Sequence, residues 1–189
     1  LRLVGSEMCI RDRPDIFHII SSMLHKYNLS PSRLILEVTE STALKNLDRS
    51  IELLNAFNQA GITVSIDDFG TGYSNLLMLS VLPAKELKID KSFVHSMLVN
   101  EKSRKLVETI INIARTMEMN VVAEGIETQE QQVVLTDLGC DYLQGFLFSR
   151  PLPAEQVPWL LLQKNSDKQI IPIGKIHAEP AYISQKNHA

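Results

Sequence analysis

Val64-Ser65-Ile66-Asp67-Asp68-Phe69-Gly70-Thr71-Gly72-Tyr73-Ser74 runs from an apolar, strand-like segment through two adjacent carboxylates into a loop with two glycines. Successive side chains of a strand point to opposite faces, so neighbouring acids can serve one site only where the pleat ends. Gly70 and Gly72 supply that ending, because glycine reaches φ > 0 without a Cβ clash and lets backbone approach a ligand. An isolated Asp-Asp-Phe-Gly turn reads as a solvated cap. Three further segments move the reading toward a site.

Leu34-Ile35-Leu36-Glu37-Val38-Thr39-Glu40-Ser41 is a β-prone apolar run that closes on acids and hydroxyls. Glu37 lies inside the apolar part, where an unpaired carboxylate is costly, so it demands a cation or a strong set of donors. Asn120-Val121-Val122-Ala123-Glu124-Gly125-Ile126-Glu127-Thr128 is another short strand that closes on acids. In Glu86-Leu87-Lys88-Ile89-Asp90-Lys91, strand alternation puts Lys88 and Asp90 on one face.

Strand-like runs begin near Leu34, Thr63, Glu86, Asn120 and Asp141. Helical patterns lie between them: residues 48–57, with Gly61 as a C-terminal stop, and residues 103–119, with Leu106, Ile110, Ile113 and Met117 at three- and four-residue steps. A repeated βα unit of about 30 residues matches a (β/α)₈ barrel, whose active site lies at the C-terminal strand ends. Glu37, Asp67, Asp68, Lys88 and Glu124 all fall at such ends. A doubly wound open sheet would instead gather its ligand at one switch point.

These segments, with Leu87-Lys88-Ile89-Asp90-Lys91-Ser92-Phe93 and Gln144-Gly145-Phe146-Leu147-Phe148-Ser149-Arg150-Pro151-Leu152, resemble the successive motifs of the bacterial EAL-domain family, in order and spacing, from about Pro14 to Leu162. Members of that family are cyclic di-GMP phosphodiesterases. The resemblance implies a TIM-type α/β barrel, of which about five βα units are present. The first three strands, with the family's Glu-Ala-Leu and Asn motifs, are expected to be missing. Residues 1–13 resemble a translated sequencing-adapter peptide and are set aside from fold reasoning. Residues 14–164 are then the C-terminal part of an EAL domain, and the polar, aperiodic stretch 165–189 is a disordered tail. An open sheet with two bare edges is expected to be inactive and poorly folded by itself.

By resemblance, Glu37, Asp67, Asp68 and Glu124 bind two divalent cations, Mg²⁺ or Mn²⁺, with Asp67 as the bridge; hard ions prefer such oxygen ligands. Glu124 is metal ligand, general base or both. Lys88 orients water or neutralises developing charge. Asp90 holds Lys88, or else is a plain surface ion pair. Glu40 and Glu127 fix the 68–74 loop and the metals. Gln144 and Phe146 contact guanine, with core packing the competing role for Phe146.

Composition agrees with a cytoplasmic domain. The chain is 44% hydrophobic with net charge −3, which gives no basic excess for nucleic acid. Cys9 lies in the head, leaving Cys140 without an internal disulfide partner. No apolar run reaches the length of a membrane span; a membrane-anchored parent is the alternative. The resemblance also implies an upstream sensory domain and leaves room for a homodimer. His177 and His188 read as solvated, Phe17, Phe57 and Phe93 as core, and Trp159 as packing the last helix. The alternatives are a catalytically silent module that binds cyclic di-GMP or a protein partner, and an enolase-type barrel. Asp68-Phe69-Gly70 mimics the kinase metal motif, but neither a His-Arg-Asp loop nor a glycine-rich nucleotide loop accompanies it.

Overall fold

The computed structural model describes residues 2–3, 15–70 and 76–158. The loop beyond Gly70, most of the 1–13 head, Trp159 and the 165–189 tail lie outside the described residues. Among the described residues six strands form one sheet: β1 (Arg2–Leu3), β2 (Ile35–Thr39), β3 (Thr63–Phe69), β4 (Glu86–Ile89), β5 (Asn120–Ala123) and β6 (Tyr142–Leu143). Every neighbouring pair is parallel, and the spatial order follows the chain without reversal. A wall that never reverses belongs to a barrel, whereas a doubly wound sheet would change direction at a switch point. β2 to β6 start within one residue of the expected positions. The short β1 belongs to the head set aside above, and its backbone pairs with Ile35 and Leu36.

The helices are α1 (Ile16–Lys26), α2 (Glu40–Lys45), α3 (Leu47–Gln59), α4 (Leu76–Val81), α5 (Lys91–Ser96), α6 (Glu101–Thr116) and α7 (Gln129–Asp137). Their limits have local causes. The Asn46 side chain accepts from Arg49 N at 3.3 Å to open α3, and Gly61, at φ +87°, turns the chain after it. Asn100 accepts from the amides of Lys102 and Ser103, so α6 starts two residues before the expected 103–119 helix. Its buried face is Val107, Ile110, Ile111 and Ala114, while Leu106 and Met117 of the expected helical stripe are exposed. The apolar stripe is wide, and its centre rather than its edge faces the sheet. Thr128 and Gln131 form a reciprocal capping box at the start of α7.

The two faces of the sheet differ in chemistry. Val64 and Ile66 of β3, Leu87 and Ile89 of β4, and Val121 and Ala123 of β5 are buried in the apolar core. Burial of each large aliphatic side chain contributes about 1.5–3 kcal/mol. Phe57 is in the same core and Phe17 packs on it, ring centroids 5.4 Å apart; Phe93 is partly buried against it. The alternate residues, Glu37, Ser65, Asp67, Glu86 and Lys88, are polar. Ser65 Oγ donates to Glu86 Oε1 at 2.9 Å in full burial, which satisfies the lower layer of that face. The upper layer is the site. No helix among the described residues is long and apolar enough to cross a membrane.

Candidate active site

At the C-terminal end of β4, Lys88 Nζ lies 3.1 Å from Glu37 Oε1, 2.9 Å from Asp67 Oδ1 and 2.7 Å from Glu124 Oε1. The acids arrive from β2, from β3 and from the residue after β5. Glu124 is held at that point because its amide donates to Ile89 O at 3.2 Å, extending the pairing of β5 with β4. Only 4% of the Lys88 side chain and 2% of the Glu37 side chain is exposed. The cation that Glu37 demanded from the sequence is therefore Lys88.

Burial alone would lower the Lys88 pKa, but hydrogen bonds and attraction from Glu124 and Asp67 outweigh it, and the result is raised. Lys88 is a fixed positive charge and not a base. Glu124 is also raised: burial is the largest cause, Lys88 opposes it, and the like charges of Asp67 and Glu37 add to it. One ammonium against three carboxylates leaves two negative charges in excess. Buried charges are retained when they are paired or when they coordinate a cation.

β3 changes register against β4 between Ile66 and Phe69, and Asp68 there takes φ +55°. A bulge re-aims side chains at a strand end, and Asp is among the residues that tolerate this backbone region. Simple alternation from Asp67 to Asp68 is broken at this residue. Asp68 N donates to Asp67 Oδ1 at 3.0 Å, which fixes the carboxylate that faces Lys88. The break continues at Gly70, φ +93°, where a Cβ would meet the Phe93 ring at 2.9 Å. Glu40, buried at the start of α2, accepts from Gly70 N at 3.3 Å and so holds the entry to that loop.

One expected role differs in the structure. Asp90 caps α5, accepting from the amide and the hydroxyl of Ser92, whereas Lys88 is held by Glu37, Asp67 and Glu124. Asp90 lies beyond the end of β4, so strand alternation no longer fixes its direction. Burial pushes its pKa up, but the bonds from Ser92 prevail and lower it. Glu127 is half exposed and faces His95, Oε1 to Nε2 3.8 Å, while its amide donates to Gln131 Oε1.

Gln144 and Phe146 lie on the loop after β6, which is stitched to the loop after β5. Ile126 N donates to Gln144 O at 3.1 Å and Leu147 N to Ile126 O at 2.9 Å. A Cβ on Gly145 would fall 2.1 Å from Ile126 O, so only glycine permits this approach. Phe146 is 52% exposed, with the Arg150 guanidinium 5.0 Å from its ring centroid. It is therefore a rim residue and not a core one. Arg150 lies in the motif quoted from the sequence but was given no role there, and His95 carried no signal.

The acids form a hard oxygen donor set suited to a divalent cation. Among the described residues no three His, Cys, Asp or Glu side chains gather closely enough to ligate an ion as they stand. The Lys88 ammonium occupies the point on which Glu37, Asp67 and Glu124 converge.

A family model for the EAL domain matches residues 6–151. The chain belongs to the EAL-domain family. It is 49% identical over 138 residues to the bifunctional diguanylate cyclase/cyclic di-GMP phosphodiesterase MucR of Pseudomonas aeruginosa, covering 73% of this chain and 20% of that protein. A solved complex of the PaMucR phosphodiesterase with c-di-GMP superposes with a TM-score of 0.77 at 45% identity, covering 82% of this chain and 62% of that one. A manganese/cy-diGMP complex of Klebsiella pneumoniae BlrP1 gives a TM-score of 0.72 at 31% identity, covering 80% and 38%. The partial barrel is thus that of EAL domains. The chain spans about a fifth of the length of the curated relatives it matches.

Proposed function

We propose that this EAL chain carries the strand-end acids of a cyclic di-GMP phosphodiesterase that hydrolyses one phosphodiester to give the linear dinucleotide. The observation that carries the reading is the convergence of Glu37, Asp67 and Glu124 on Lys88, with two negative charges in excess. Glu37, Asp67, Asp68 and Glu124 would hold divalent cations, Mg²⁺ or Mn²⁺. Such ions supply charge neutralisation at phosphoryl oxygens and acidify water.

The chain's own residues divide the remaining work. Lys88, permanently protonated, presents a positive charge to a developing phosphoryl oxyanion. Glu124 is the most solvent-accessible of the three acids that meet Lys88, which suits it to take the proton of the attacking water. Glu40 holds the loop after β3 through the Gly70 amide. Phe146 offers an exposed ring to a guanine base, and Gln144 sits beside it on the same loop. The parent protein is expected to act in the cytoplasm under an upstream sensory domain.

The experiment is hydrolysis of cyclic di-GMP by the full-length parent with Mn²⁺, read as release of the linear dinucleotide, for wild type and Asp67→Asn. The variant is expected to fold and to keep less than about a tenth of the rate, since bound cations are worth several kcal/mol. Hydrolysis that survives thorough chelation overturns the reading. A silent binding module is the second reading. One observation favours it: among the described residues no three His, Cys, Asp or Glu side chains gather closely enough to hold an ion. Nucleotide binding without turnover would select it.

A further inference from the structure

The loop that carries Glu124 is clasped by α5, the helix that follows directly on the Lys88 strand. Gly125, at φ +70°, lies so close to that helix that a Cβ would stand 2.5 Å from Lys91 Cβ and 3.2 Å from His95 Nε2. His95 Nε2 is 3.0 Å from Gly125 O, an acceptor only, so this nitrogen carries the proton and donates. The same ring edge faces Glu127 at 3.8 Å. One side chain on α5 thus bonds the residue after Glu124 and faces the acid that ends its loop. Asp90 fixes the start of α5 through Ser92, immediately beyond β4. A continuous path runs from Lys88 through the Asp90 cap and His95 to Gly125 and Glu124, and it closes on the 2.7 Å contact between Glu124 and Lys88.

We propose that His95 is a positioning residue for Glu124: its bond to the Gly125 carbonyl holds the β5 exit where Glu124 can meet Lys88 and a divalent cation. This rests on the proposed cation site. Its own content is that an exposed side chain outside the acid cluster sets the cluster's geometry. Residues that orient ligands from behind affect ion affinity about 10- to 100-fold. The His95 side chain is 43% exposed, so its truncation removes a bond and little packing.

The test compares wild type, His95→Ala and His95→Gln in the full-length parent protein. Glutamine can place an amide N–H near the position of Nε2. Two measurements are made: Mn²⁺ affinity by titration calorimetry, and hydrogen exchange at the Ile126 and Glu127 amides, with the β2 and β3 amides as internal reference. His95→Ala is expected to weaken Mn²⁺ binding by about tenfold. It is also expected to speed exchange at 126 and 127 by about fivefold relative to β2 and β3, the effect of one net hydrogen bond. His95→Gln restores both. Wild type that binds no Mn²⁺ refutes the cation site, and the exchange comparison then decides His95 by itself. Unchanged exchange in His95→Ala, global unfolding of that variant, or no recovery in His95→Gln overturns the positioning role.

Discussion

Replacing Lys88 by Met keeps a straight side chain of similar volume and removes the charge on which three carboxylates converge. Breaking a buried ion pair by deleting one partner costs roughly 3–5 kcal/mol. Glu37 has almost no solvent access, whereas Asp67 and Glu124 retain some, which places the loss near the lower bound, about 3 kcal/mol. For a domain of this size that lowers Tm by roughly 6–12 °C. The assay is urea and thermal unfolding of this domain within the full-length parent, wild type and Lys88→Met, each in EDTA and in Mn²⁺. The variant leaves three acids without their ammonium, so Mn²⁺ should bind it more tightly than wild type; at a hundred times Kd it recovers about 2.7 kcal/mol. The pH dependence has a definite sign. The folded pKa of Lys88 is raised above its ordinary 10.5, so its contribution is complete below that pH and is lost as the pH rises through the higher folded value. The gap between wild type and variant should therefore be flat near neutrality and shrink only above about pH 10. A variant within about 0.5 kcal/mol of wild type in EDTA, the range of an ordinary surface change, would refute the ammonium as the neutraliser of this cluster.

Cys140 is buried, and burial pushes its thiol up to about 12, so in a Cys9→Ser background maleimide at pH 8 should label the protein only after denaturation. Gly145→Ala puts a Cβ against the Ile126 backbone, which cannot yield as a side chain would; a loss of at least 1–3 kcal/mol by urea unfolding is expected, roughly the range of core overpacking. Asp90→Ala removes the cap of α5 at about 1 kcal/mol. Because the Asp90 pKa is lowered, that stabilisation is full above 3.8 and fades as the pH falls through the folded value, so wild type and variant should converge in acid unfolding curves.

The parallel wall was legible because each strand is a short apolar run with its own punctuation, and β2 to β6 begin within a residue of the positions read from the chain. Glu37's need for a cation was legible from the cost of a carboxylate in an apolar run. The identity of that cation was not, since alternation gives a face and says nothing of which acids lie across the sheet from Lys88. Asp90 was misread for a related reason: alternation was carried one residue past the end of β4, into the cap of α5. The short helices α2, α4 and α5 offer too few residues for a period to show. His95 leaves no trace in the sequence because its partner is a backbone carbonyl, available from any residue.

The acids that meet at Lys88 come from far before it and far after it in the chain, and no two of the four groups share a strand. Pairing that is distant in sequence is slow, because the intervening loops must close before the contact repays them. The charge cluster cannot close until β2, β3, β4 and β5 have found their register. An incompletely folded chain holds these carboxylates dispersed in water, where each is a weak ligand. Competence to bind a divalent ion is in this way a report that the wall has been assembled in its correct order.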